Sequence, residues 1–209
     1  MLNLGVLASG RGTNLQAILD ACARGEIPAR VAVVVSDNPG AAALVRARRA
    51  GVPALFVDPR GRRKKEFEAE LSCILRQHGV GLVCLAGYVR MLGRSFLEEW
   101  EGRVLNIHPS LLPAFPGLEA QRQAWEYGVK VAGCTVHFVV PEVDAGPIVL
   151  QAAVPVLGDD TPETLAGRIL EQEHRIYVEA IRLYAEGRLR IEGRRVTALP
   201  PAGEHQRRG

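Results

Sequence analysis

The sequence predicts an α/β fold: a Rossmann-like, doubly wound, mostly parallel sheet, followed by a C-terminal β-excursion and a long helix. Three observations predict it. Short apolar runs alternate with helical patterns through the first half. Several of those runs are continuous and β-branched, as strands of a sheet wrapped on both faces are. A glycine-bearing turn separates the first run from the first helix, where such folds bind ligands.

Leu2 to Ala8 is too short an apolar run for a helix and ends in Ser9-Gly10-Arg11-Gly12-Thr13-Asn14. Leu15, Ile18, Leu19 and Cys22 then mark a helical face that Gly25 closes. Strands follow at Val31–Val35, Val52–Val57, Gly81–Ala86 and Arg103–Ile107, with an Ala-rich helix near 41–50 and a helix over 64–78. After Pro113 a short helix spans Gln121–Tyr127. Two β-rich stretches, Gly133–Val140 and Ile148–Val156, flank the loop Pro141–Pro147 as a hairpin-like excursion. Thr161 is the expected N-cap and Pro162 the first residue of a helix running to Leu183. Residues from about 198 onward read as a frayed tail.

A chain of 209 residues suits one sizeable core, and 47% hydrophobic with 23% charged residues is ordinary for a soluble protein. The net charge of +3 suits an anionic small substrate and gives no argument for nucleic acid. Cys22, Cys73, Cys84 and Cys134 form no CxxC pair and read as reduced thiols, not a metal site. No apolar run reaches membrane-spanning length and no leader precedes the first strand, so the expected location is cytoplasmic.

Asn106 and His108 lie two apart where the fifth strand meets Pro109, which cannot extend a ladder. In an extended segment they share a face, with Cα atoms roughly 7 Å apart. The amide can hydrogen-bond an oxyanion and the imidazole can exchange a proton near neutral pH. A turn-capping asparagine beside a backbone-satisfied histidine fits the same spacing. Gly10 and Gly12 let a phosphate approach the start of the first helix, with Thr13 and Asn14 as donors; a tight turn capped by Thr13 or Asn14 is the alternative. Leu15 breaks the GxGxxG dinucleotide pattern, and the Gly-Lys-Ser/Thr of an NTPase loop is absent. His137 in a β-run, Asp144 in its loop, the basic run Arg60–Lys65, and Glu173 and His174 on the last helix each suit chemistry or an ordinary structural role.

Several pieces coincide in order: Gly12–Ile18, Leu85–Leu92, Asn106–Pro113, Gly133–Val139, Asp144–Ile148 and Gln172–His174. Together, over about residues 2 to 190, they closely resemble the phosphoribosylglycinamide formyltransferases of purine synthesis. The resemblance implies the formyltransferase fold as one domain over 1–197, with a phosphate-binding half to about 100, a folate and catalytic half beyond it, and a flexible tail from 198 to 209. It implies 10-formyltetrahydrofolate as co-substrate, glycinamide ribonucleotide as acceptor, and no metal, nucleic-acid or membrane partner. The oligomeric state is left open, a homodimer included.

It further implies Asn106, His108 and Asp144 as the catalytic trio. Gly12, Thr13 and Asn14 would hold the ribose 5-phosphate, and Glu173 would face the amine. Val89, Arg90, Met91 and Leu92, with Asn106, would line the pterin site. Lys64 stands where relatives carry a folate-contacting arginine, keeping the charge without the fork, and Arg63 is a substitute. Where many relatives carry a histidine after Pro116-Gly117-Leu118 this chain has Glu119-Ala120-Gln121, and Leu170 replaces a phosphate-binding glutamine, with Arg168 the nearby cation.

Two superfamily rivals share the Asn-x-His and Asp pattern. A methionyl-tRNA formyltransferase would carry a further C-terminal domain and a formyltetrahydrofolate hydrolase a further N-terminal one. From other classes, a nicotinamide-dependent oxidoreductase is opposed by the missing glycine, and a non-enzymatic nucleotide module leaves His108 and Asp144 unexplained.

Overall fold

A computed structural model describes residues 1–201 of the chain. The elements run β1 (Leu2–Leu7), α1 (Thr13–Ala23), β2 (Ala29–Ser36), α2 (Ala42–Arg49), β3 (Ala54–Phe56), α3 (Lys64–Gln77), β4 (Leu82–Leu85), α4 (Arg94–Glu99) and β5 (Val104–His108). They continue as α5 (Ala120–Tyr127), β6 (Val131–Phe138), β7 (Ile148–Pro155), α6 (Pro162–Ala185), β8 (Leu189–Glu192) and β9 (Arg195–Ala198).

All the strands form one sheet in the order β3-β2-β1-β4-β5-β6-β7-β9-β8. β3 to β5 are mutually parallel; β6 is antiparallel to β5, and β7 to β6. The chain therefore winds outward from β1 to β3, then returns to lay β4 on the other side of β1. That reversal opens a crevice at the carboxyl ends of β1 and β4.

Two apolar cores cover the two faces. Leu4 and Val6 of β1 pack with Leu15 and Ile18 of α1, Leu44 of α2 and Leu165, Ile169, Tyr177 and Ile181 of α6. Leu7, Val33 and Val35 turn the other way, onto Phe67, Leu71 and Leu75 of α3 and Phe96 and Trp100 around α4. This is why Val6-Leu7 of β1 and Val31–Val35 of β2 are unbroken apolar runs. α6 starts as predicted, with Thr161 as N-cap accepting from the Thr164 N–H at 3.2 Å and Pro162 in the first turn.

Three stretches differ from expectation. α4 is six residues long, too short for its apolar residues to mark a helical period. β8 and β9 form a hairpin around Gly193-Arg194, mostly exposed, that docks on β7 through a single bridge. The predicted tail start at 198 is corrected: Ala198 pairs with Leu189, and Leu199 donates its N–H to the Arg188 carbonyl and accepts from the Arg188 guanidinium, both at 2.7 Å. The rest of that tail, residues 202–209, lies outside the described residues. Among the described residues no helix is long and apolar enough to cross a membrane.

Tyr177 ties the helical layer to the sheet. Its buried hydroxyl lies 3.0 Å from both the Leu85 and Leu105 carbonyls, where β4 and β5 run side by side. Removing it leaves buried acceptors short of a donor, at a cost of about 1–2 kcal/mol. Tyr177→Phe is expected to lower the urea unfolding free energy by that amount; an unchanged midpoint would show that the hydroxyl contributes nothing.

Candidate active site

Asn106 and His108 sit on β5, and the register with β6 places His137 opposite Asn106 and Thr135 opposite His108. Cross-strand partners share a face, so three of these side chains gather at one spot. The Asn106 amide nitrogen lies 3.2 Å from Nε2 of His137. Asp144, in the loop between β6 and β7, reaches both rings: its Oδ2 is 3.4 Å from Nδ1 of His108 and its Oδ1 3.6 Å from Nε2 of His137. Both imidazoles are buried.

The loops around them are fixed by backbone. Asp144 itself is left-handed, φ 49°. Two residues on, Gly146 packs so tightly that a Cβ there would lie 1.7 Å from the Phe138 carbonyl oxygen, so only glycine fits. Across the site, Thr135 donates to the Ser110 carbonyl at 2.7 Å and accepts from the Leu112 N–H at 3.1 Å and Gln151 at 3.0 Å. This holds the turn after β5, which includes a cis Leu112–Pro113 bond, and so sets the Phe115 carbonyl 2.8 Å from Nε2 of His108.

Hydrogen-bond chemistry then assigns the atoms. A carbonyl only accepts, so Nε2 of His108 carries the proton given to Phe115, and Nδ1 is the ring atom left to work against Asp144. For the same reason Nδ1 of His137 donates to the Phe138 carbonyl, 2.9 Å away. Its Nε2 accepts from Asn106 when the ring is neutral and donates to Asp144 when it is charged. The Asn106 NH₂ has two hydrogens, so one remains for a ligand. Burial pushes the Asp144 pKa up, but His137, the Gly117 N–H at 2.7 Å and a charged His108 outweigh it and hold the carboxyl below its ordinary value.

The glycine turn leaves the end of β1 beside the loop that follows β4. Gly12 has φ 70° and would, with a Cβ, lie 2.7 Å from the Ala43 Cα. It is the N-cap of α1 and no side chain caps that helix, so neither Thr13 nor Asn14 is the cap the turn reading allowed. The first-turn N–H groups are left to favour an anion. Asn14 instead turns inward and donates to Oε2 of buried Glu173 at 2.9 Å. Burial raises the Glu173 pKa, partly offset by Asn14 and by Arg11.

Lys64, Val89, Arg90, Met91 and Leu92 come together around a cavity of about 460 Å³, joined by Tyr88, Phe67 and Glu68. Arg63 does not line it, pairing instead with Glu66 of its own helix. Because Leu85 pairs with Asn106, the 86–92 loop leaves the sheet beside that asparagine, although Asn106 itself does not line the cavity. Glu173 of the second predicted half meets Asn14 of the first. Arg168 is committed to Asp160 at 2.7 Å and to the Pro155 carbonyl. A larger cleft, about 630 Å³ along α1 and α6, shares only Thr13 with the predicted site residues.

Sequence reasoning left His137 unranked. The signal was its position in a strand that pairs antiparallel with β5, and only the register shows it.

Residues 2–181 match the family described as formyl transferase. The chain belongs to that family. Within it, the chain is 43% identical to the phosphoribosylglycinamide formyltransferase of Haemophilus influenzae, over 97% of this chain and 98% of that protein. A crystal structure of glycinamide ribonucleotide transformylase 1 from Symbiobacterium toebii superposes with a TM-score of 0.94 at 65% identity, covering 96% of this chain and 95% of that one. The Gallus gallus trifunctional purine biosynthetic protein adenosine-3 is 45% identical over 91% of this chain, which spans only 19% of that protein. A formyltetrahydrofolate deformylase from Pseudomonas syringae shares the fold at 27% identity and a TM-score of 0.89, over 95% of this chain and 66% of that one.

A carboxyl whose pKa is lower folded than unfolded adds stability at pH above its unfolded value and loses it as pH falls through the folded one. Wild type should therefore exceed Asp144→Asn in unfolding free energy most at neutral pH. The gap should close as pH drops through and below the carboxylate range near 3.8. Urea titrations at several pH values check this, and a gap that widens toward acid contradicts it.

Proposed function

We propose that this chain transfers the formyl group of 10-formyltetrahydrofolate to the amine of N1-(5-phospho-D-ribosyl)glycinamide, a step of purine synthesis in the cytoplasm. The observation that carries it is Asp144 held between His108 and His137, with Asn106 alongside. The anionic end of the acceptor lies on Gly12, Thr13 and Asn14 at the α1 N-terminus, and Glu173 faces its polar groups. The pterin enters against Val89, Arg90, Met91 and Leu92, with Lys64 at the rim for the carboxylate tail.

The amine, as free base, attacks the formyl carbon, and the carbonyl electrons move onto oxygen. The free hydrogen of Asn106 and the Nδ1 proton of charged His108 stabilise that oxyanion. Asp144 takes the amine proton, directly or through water, and passes it to N10 as the oxyanion collapses and the formyl C–N10 bond breaks. Holding both reactants in line supplies much of the remaining acceleration. Residues 1–197 act as one formyltransferase domain, and both substrates are small molecules.

The likeness to a deformylase favours one second possibility, with water in place of the amine. An assay with both substrates separates them: formyl appears on the ribonucleotide, and release without acceptor is slow. Fast acceptor-independent release would instead identify a hydrolase. Asn106→Ala should lower kcat by a factor of about 10² to 10³, as loss of one oxyanion donor does. Asp144→Asn should stay folded and lose turnover at least as severely. Wild-type-like turnover in the Asp144 variant removes the carboxylate from the mechanism.

A further inference from the structure

Glu68 is a carboxylate that the chemistry above does not use. It lies on α3 and is only 7% exposed, although acidic residues are seldom buried without a partner. Its Oε1 accepts the Gly93 N–H at 2.7 Å. Contact with that backbone is so close that a Cβ on Gly93 would lie 2.6 Å from Oε2. The Lys64 ammonium stands 3.8 Å from Oε1, one turn earlier on the same helix.

Gly93 is where the 87–92 loop ends and α4 begins. The other end of the loop is pinned as well. The Val89 N–H donates to Oγ of Ser9 at 3.1 Å, and the Ser9 N–H donates to the Gly87 carbonyl at 3.1 Å. Between these pins Arg90 lies over the Phe67 ring, 5.5 Å from its centroid, and Leu92 is buried. The stretch from Val89 to Leu92 is thus held taut between Ser9 and Glu68, and Glu68 itself lines the cavity it bounds.

We propose that Glu68 is a positioning residue for the formylfolate site. It fixes the C-terminal end of the pterin loop through the Gly93 N–H and holds the Lys64 ammonium at the cavity rim. It does not touch the reacting atoms, and a buried charge there is kept because one backbone donor and one ammonium both depend on it. The inference rests on assigning this cavity to the folate.

Steady-state kinetics of Glu68→Ala, with each substrate varied in turn, give the test. The KM for 10-formyltetrahydrofolate should rise about tenfold, equivalent to about 1.4 kcal/mol. Both kcat and the KM for the ribonucleotide should stay within about twofold of wild type. Glu68→Gln keeps an oxygen to accept the Gly93 N–H and should recover most of the loss. Equal changes in both KM values, no change in either, or a glutamine variant as impaired as alanine each overturn the proposal. If the alanine variant does not fold, Glu68→Asp should show the same split at smaller size, and its absence has the same force. Calorimetric titration with folic acid reads the cavity without turnover. Should wild type bind folic acid but transfer no formyl group, the functional assignment fails while the Glu68 comparison still stands or falls on the folic acid Kd.

Discussion

The interaction on which the rest depends is the Asp144 carboxylate lodged between two buried imidazoles. A carboxylate removed from water is costly unless donors meet it, and here the donors come from separate places: β5, β6 and the Gly117 backbone. Each can be present only if the strands are in register. A one-residue slip of β6 against β5 would turn His137 to the opposite face and bring an apolar neighbour beside Asn106. Register is therefore a functional quantity in this sheet. Thr135 and Gln151 guard it by tying β6 and β7 to the turn after β5.

That turn also settles which nitrogen of His108 works. With Nε2 bound to the Phe115 carbonyl, the ring cannot rotate to offer its other edge without breaking a hydrogen bond. Nδ1 is fixed toward Asp144, and the 3.4 Å separation leaves the pair loosely joined, with room in the proposed reaction for a substrate atom or water to enter the proton path. The same economy governs His137, whose Nδ1 is spent on backbone and whose Nε2 answers to Asn106 or Asp144 according to charge.

How much of this was legible in the sequence follows from the range of each interaction. Asn106 and His108 could be read as a pair because strand periodicity is local, and the winding of the first five strands because each carries its own apolar run. Asp144 could not be placed by periodicity, since a loop residue acquires a position only from the strands it joins; the ordered motifs supplied it. His137 escaped for want of register. Glu68 escaped because an acidic residue one turn into a charged helix reads as solvated, whereas α3 turns it inward against Gly93. Arg168 looked available for a phosphate until Asp160 claimed it. α4 and the β8–β9 hairpin were too short or too exposed to leave a pattern.

What separates the catalytic cluster from the choice of acceptor is the crevice itself. In the proposed reaction the cluster would handle a formyl carbon and one proton, which is equally the chemistry of hydrolysis, and a deformylase shares this fold. Selection of an amine over water must then come from the other side of the crevice, where the reversal between β1 and β4 sets the uncapped α1 terminus and the Asn14–Glu173 pair. On the proposed function, binding energy gathered there, on a part of the acceptor that does not react, would hold the amine where water would otherwise stand. Glu173 is suited to this because burial and a single amide donor leave its carboxylate short of partners, so an acceptor that brings hydroxyl or amine hydrogens repays its desolvation. On that reading specificity and catalysis would occupy different strands' ends, joined by the chain reversal that puts them in one crevice.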